Sequence, residues 1–205
     1  MRTYFTVPLL FSALISVPMA SHAQGLSRSG IGIKAGAQWC RLAADGVPYT
    51  AIPGGVLGAY APFLVRARLE IQPELVASYQ GSDLQIPEAA PATARMLYVQ
   101  LPVAVKVFLS NTFNLQAGPQ AAWCAAAWSN GESAKDLVRP FEVGLFGGLG
   151  LDMRTGWDLC ARYYYGMKPV LIGDHGTNPR HRIIQVGLGY RMMHTGGRKH
   201  RLHRR

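Results

Sequence analysis

Apolar and polar residues alternate with period two over most of the chain between positions 30 and 192. In 97–109, Leu97, Val99, Leu101, Val103, Val105, Val107 and Leu109 share one face, and Tyr98, Gln100, Pro102, Ala104, Lys106 and Phe108 the other. A β-strand turns successive side chains to opposite faces, so the pattern predicts a strand well beyond the usual length of about five or six residues. The stretch 69–79 repeats it, opposing Leu69, Ile71, Leu75 and Tyr79 to Glu70, Gln72, Glu74 and Ser78. In 141–153, Phe141, Val143, Leu145, Leu149, Leu151 and Met153 oppose Glu142, Gly144, Gly148, Gly150 and Asp152. The last stretch sets Ile184, Val186, Leu188, Tyr190 and Met192 against Gln185, Gly187, Gly189 and Arg191.

Eight strands are predicted, near 30–40, 54–64, 68–79, 96–109, 112–124, 140–153, 157–166 and 181–192. Long connections (41–53, 80–95, 125–139 and 167–180) alternate with tight turns around 65–67, 110–112 and 154–156. Long loops on one rim and short turns on the other describe an all-β, eight-stranded antiparallel up-and-down barrel with both ends on the short-turn side. No second domain is expected.

Alternation alone does not say which face points inward. A soluble ligand-binding barrel keeps its apolar face inside, whereas a transmembrane β-barrel turns it to lipid. Two features favour the membrane version. The less apolar face is rich in glycine (Gly32, Gly36, Gly118, Gly144, Gly148, Gly150, Gly187, Gly189), which suits a cramped interior. Aromatics on the apolar face gather at both strand ends: Trp39, Tyr79, Trp123, Phe141 and Tyr165 towards the long loops, and Phe113, Trp157 and Tyr190 towards the short turns. Two such belts suit anchoring at two bilayer interfaces.

Composition narrows the picture further. With 49% hydrophobic and 16% charged residues, the chain is neither disordered nor dressed for water on every side. Its formal net charge of +10 suggests nucleic acid until it is located: Arg198, Lys199, Arg201, Arg204 and Arg205 supply five of those charges from the last eight residues. Nucleic-acid binding by the fold is therefore not expected. At the other end, Arg2, an apolar run over 4–17 and the small-x-small site Ser21-His22-Ala23 read as a signal peptide over 1–23. The barrel is expected over 24–192 and a basic tail over 193–205, on the periplasmic side, where outer-membrane lipids are a partner for its cations.

The same residues carry a family resemblance. The ordered pieces Gly32-Ile33-Lys34-Ala35-Gly36, Leu69-Glu70-Ile71-Gln72-Pro73-Glu74-Leu75, Leu97-Tyr98-Val99-Gln100-Leu101-Pro102 with Lys106, and Leu115-Gln116-Ala117-Gly118-Pro119-Gln120 are its first half. Gly147-Gly148-Leu149-Gly150, Ala161-Arg162-Tyr163-Tyr164-Tyr165-Gly166 and Gln185-Val186-Gly187-Leu188-Gly189-Tyr190-Arg191 complete it. Together they resemble the PorT-like (porin-family) outer-membrane β-barrels of Bacteroidetes-type bacteria. The resemblance implies an outer-membrane barrel and, for most members, no known activity. The tail has no place in that pattern, and Met192 stands where such barrels usually end on an aromatic.

With the glycine-rich face inside, Lys34, Glu70, Glu74, Lys106, Glu142, Asp152, Asp158, Arg162 and Arg191 become lumenal, four positive against five negative. An eight-stranded bore is just wide enough for side chains to fill, so these charges must pair, as an ionic plug. A proton or ion path through them is the alternative. Catalysis is not expected: Ser82, Asp83, Asp174 and His175 belong to long loops, and no motif joins them. No cofactor is implied. His194, His200 and His203 lack an element to organise a metal site, and Cys40, Cys124 and Cys160 lack metal spacing; one disulfide plus a thiol, or three packing thiols, remain open. The expected role is structural, or adhesive through the long loops towards an unknown protein or surface ligand, by a monomer. Small-solute transport or secretion assistance is second, and a soluble secreted ligand-binding barrel third.

Overall fold

The computed structural model describes residues 29–44, 49–84, 92–172 and 178–194; the expected signal peptide and nearly all of the basic tail lie outside them. Ten strands follow one another: β1 Gly30–Ala43, β2 Tyr49–Tyr60, β3 Phe63–Arg66, β4 Leu69–Leu84, β5 Ala92–Phe108, β6 Phe113–Ser129, β7 Glu132–Ser133, β8 Phe141–Asp152, β9 Trp157–Gly166 and β10 Arg180–His194. Eight of them form the wall. Each pairs antiparallel with its neighbour in the order β1, β2, β4, β5, β6, β8, β9, β10, and β10 returns to β1 from Gly30↔His194 to Ala43↔Arg180. The barrel is closed, so no strand edge is left unpaired.

The two extra strands have local causes. β3 prolongs β2 along the foot of β4 after a break at Ala61-Pro62, where proline has no N–H for the ladder. The break moves the first tight turn from the expected 65–67 to Ala67-Arg68. β7 folds back on β6 through Asn130-Gly131, both with positive φ, the residue pair that a two-residue hairpin turn favours.

The apolar face points outward across the lipid-facing part of the wall. Ile33, Leu57, Leu75, Leu101, Leu145, Leu149 and Leu188 are all exposed, while Gln38, Glu70, Gln72, Glu74, Gln100, Lys106 and Gln116 are buried within. The soluble ligand-binding barrel is thereby overturned, because water tolerates no such apolar girdle. Of the eight belt aromatics, Trp39, Tyr79, Trp123, Phe141 and Tyr165 stand exposed at the long-loop rim and Trp157 and Tyr190 at the short-turn rim, where Phe113 is half-buried. Phe113 and Trp123 are ten residues apart on β6. At ~3.3 Å per residue and a tilt of ~40° they span ~25 Å of height, the usual height of a lipid-facing band.

Strands β1, β2, β4, β5 and β6 run further than the alternation predicts towards the long-loop rim, while β9 keeps its expected bounds and β10 runs on to His194 at the short-turn rim. β4 runs to Leu84 instead of 79, β6 to Ser129 instead of 124, and β5 starts at Ala92 instead of 96. The connections shrink accordingly, to 44–48 between β1 and β2 and 85–91 between β4 and β5, against expected loops over 41–53 and 80–95. Only 130–140 and 167–179 remain substantial.

Lipid contact at mid-height sets a clear expectation. Val103→Arg, midway along β5, should lower the unfolding free energy in bilayers by about 2–4 kcal/mol, whereas Leu109→Arg, at the short-turn rim, should cost about 0–1 kcal/mol. Reversible denaturant titration in liposomes measures both.

Candidate functional site

Inward-facing side chains divide the bore into levels. Nearest the short turns, Lys106 lies between two carboxylates, 2.9 Å from Asp152 and 3.5 Å from Glu70, its cross-strand partner. Arg191 lies 3.4 Å from both Asp152 and Asp158. Asn114 donates to the other Asp152 oxygen at 2.8 Å, and the Tyr60 hydroxyl donates to Asp158. The Tyr60 ring occupies space that exists only because Gly32 and Gly189 beside it carry no side chain.

One level higher, Glu74 is saturated. Lys34 and an Arg162 NH donate to its Oε2 at 2.7 and 2.8 Å, while Gln72 and the second Arg162 NH donate to Oε1, both at 2.7 Å. Gln116 accepts from Arg162 Nε at 2.8 Å and so fixes the plane of the guanidinium. The first level holds two cations and three carboxylates, the second two cations and one carboxylate, so their opposite excesses cancel. Both levels line one cavity of about 20 Å³, room for one or two waters.

Above these charges the polarity changes. Gln38 donates to Ser78 at 2.8 Å, and Ser78 and Gln100 donate to Gln80 at 3.2 and 3.4 Å. Glu142, grouped with the other lumenal charges by its parity, does not join their lattice. It sits near the outer end, where Tyr164 donates to it at 3.0 Å and His181 Nδ1 lies 2.8 Å away. His181 is fully buried, edge-on to Tyr98 at 5.6 Å, and its Nε2 meets no partner among the described residues. Sequence reasoning missed His181, the first residue of the expected strand 181–192, because the alternation that marks the inward face is clear only from Ile184 and Gln185 onward. Extending the inward parity of Gln185 and Gly187 back by two repeats finds it.

The outer end is closed by apolar packing. Leu42, Met96, Ala127, Val138 and Val170 bury together with Tyr98 and Cys124. The two substantial loops hold this cap: Val138 bridges Leu171, Arg139 N–H donates to the Val170 carbonyl at 2.7 Å, and Ile172 N–H to that of Leu137 at 2.9 Å.

The remaining candidates dissolve into structure. Ser82 donates to the Thr50 carbonyl at 3.0 Å and Asp83 pairs with Arg95 at 2.8 Å on β4 and β5, not on a loop, while Asp174 and His175 lie outside the described residues. Cys40, Cys124 and Cys160 are free thiols. Among the described residues, no three of His, Cys, Asp and Glu converge as metal ligands would.

A closed barrel with an outward apolar girdle and a polar bore is an integral outer-membrane architecture. The family model "outer membrane protein beta-barrel domain" matches residues 9–191, and the chain belongs to that family. It is an outer-membrane β-barrel protein. The crystal structure of Neisserial surface protein A is similar in fold, with 13% identity, 80% of this chain and 97% of that one covered, and a TM-score of 0.53. Similarity extends to Ail, the attachment invasion locus protein of Yersinia pestis, at 14% identity over 79% of this chain and 98% of that one, with a TM-score of 0.46. The outer membrane protein OprG from Pseudomonas aeruginosa is 14% identical over 79% and 95%, with a TM-score of 0.44. No curated protein matches the chain.

The two glutamates of the lattice should behave differently. Glu74→Gln aims an amide at Arg162 and strands two buried cations, which should cost about 3–5 kcal/mol. Among the described residues Glu70 accepts no hydrogen bond and only approaches Lys106, so Glu70→Gln should change stability by less than about 1 kcal/mol. Asp83→Asn, in a part-exposed pair, should likewise cost about 0–1 kcal/mol. Urea unfolding of the folded barrel in detergent ranks the three.

Proposed function

We propose that this outer-membrane barrel is a closed, non-enzymatic wall element whose working surface is its outer cap, where it meets a protein or surface ligand. The observation that carries this reading is the double closure of the bore, by a charge-matched lattice at one end and an apolar plug at the other. A solute finds no path through, so function falls to the surface. On the cap, Leu137 and Ile172 are exposed side by side, joined by the Ile172–Leu137 backbone hydrogen bond. Lys135 and Arg139 flank them, and Lys168 belongs to the neighbouring loop. An apolar knob ringed by cations fits a partner with an apolar contact and negative charge. The belt aromatics anchor the barrel at the two interfaces, and a monomer suffices because the closed wall leaves no edge to share. The finer kinship with PorT-like porin-family barrels is supported by the ordered strand pieces running from Gly32 to Arg191.

Transport is the second reading, favoured by the charges in the bore alone. Purified protein in a planar bilayer should show no steady conductance in salt. Reproducible single-channel steps abolished by Arg162→Glu would overturn the closed bore and put transport first. For the cap, a photo-crosslinker placed at Leu137 in intact cells should give a discrete adduct that Ile172→Asp abolishes. Absence of any adduct at Leu137 would remove the interaction role and leave a structural one.

A further inference from the structure

Arg41 on β1 and Arg182 on β10 are direct cross-strand partners on the outward face. Like charges so placed repel each other across about 5 Å of sheet, an arrangement that destabilises unless an anion lies between them. Among the described residues no carboxylate pairs with either. Arg41 is exposed. Arg182 is held in place: its NH1 donates to the Gly166 and His181 carbonyls at 3.0 and 2.9 Å, and its guanidinium lies 3.6 Å over the Tyr165 ring.

Height identifies the neighbour. Two residues nearer the membrane on the same two strands, Trp39 and Ile184 form the next outward pair, and both are exposed in the apolar girdle. The arginines therefore stand one pleat repeat beyond the edge of the apolar band, about 7 Å along the strand and about 5 Å in height at a tilt of about 40°. The headgroup layer on each side of a bilayer is about 5–7 Å thick. Further along the same rim, Lys168 lies 5.4 Å over Phe141 and Lys135 5.4 Å over Trp123, so cations surmount the aromatic belt from β6 round to β1.

We propose that Arg41 and Arg182 form a clamp for a phosphate on the headgroup of an outer-leaflet lipid, with the acyl chains lying against Trp39, Ile184 and Tyr165. The anion screens the two guanidiniums from each other and takes parallel N–H donors from them, a geometry that arginine suits and lysine does not. The clamp needs only the outer-membrane orientation of the barrel, and stands or falls independently of the cap's partner.

The test uses the full chain, folded in an uncharged maltoside detergent and titrated with a diphosphorylated glycolipid, its dephosphorylated form, or inorganic phosphate. Native mass spectrometry reads occupancy and the heat-modifiable gel shift reads folding. Wild type should bind the diphosphorylated lipid at least about tenfold more tightly than Arg41→Gln or Arg182→Gln. Both variants should still fold, and without lipid Arg41→Gln should unfold no earlier than wild type, since repulsion is relieved. Arg68→Gln, on the opposite rim, should bind as wild type does. Equal binding of the dephosphorylated lipid, unchanged binding by both variants, or an equal loss in Arg68→Gln would overturn the clamp. So would competition by inorganic phosphate at lipid-like concentrations, which would make the pair a free-anion site.

Discussion

The narrowness of an eight-stranded bore governs the rest of the molecule. Strand number sets the diameter, and at eight strands the interior holds side chains and almost no water. Any charge placed there must find its counter-charge in the protein, because an unmatched ion would keep most of its desolvation cost. The arrangement around Glu74 meets that demand completely: one carboxylate accepts four hydrogen bonds from three residues on β1, β4 and β9. Those residues come from strands distant in sequence, so the lattice ties opposite sides of the wall together. A wider barrel would let water solvate the same groups and would lose these cross-ties.

The height of the bilayer imposes the second rule. Within the lipid band, apolar residues face out and polar ones in. Beyond it, the strands leave lipid for water and the rule inverts. On β4 the outward parity passes from Leu75 and Tyr79 to Asp83, and on β5 Arg95 stands outward on the diagonal from it and pairs with it, within reach of water. Inward, the same strands supply Met96 and Tyr98, which join Leu42, Val138 and Val170 in an ordinary apolar core. The chain thus builds a membrane barrel and a small soluble-type core from uninterrupted strands. Glu142 and His181 mark the boundary between them, a buried polar pair beneath the apolar cap.

That inversion explains what could and could not be read from the residues. Strand number, up-and-down order and the inward face of most transmembrane segments, β2 excepted, were legible, because a lipid-facing row such as Leu97 to Leu109 leaves a strict period of two. The strand extensions were not. Their apolar residues point inward, so Leu42 fell within an expected loop, and Asp83 and Arg41 looked like loop polarity rather than a strand face exposed to water. Lumenal charges were legible by parity, yet their partners were not, since pairing across the bore depends on stagger. Lys106 opposes Glu70 in register but reaches closer to Asp152, two strands away. The Tyr60 contact with Asp158 spans the barrel and rests on two glycines on other strands, a relation no local pattern contains.

Closure also decides where specificity can reside. Because the wall closes on itself and its lumenal charges lie beside opposite charges within it, the band itself offers lipid a largely apolar surface. Polar recognition is confined to the rim where the strands emerge. There Arg41 and Arg182 stand opposite each other with no carboxylate paired to either among the described residues, whereas the lumenal charges lie beside opposite charges. A like-charge pair at the level of lipid headgroups is costly in isolation and favourable beside an anion. The membrane that requires the barrel to close supplies that anion, and the wall is then completed by its lipid neighbour.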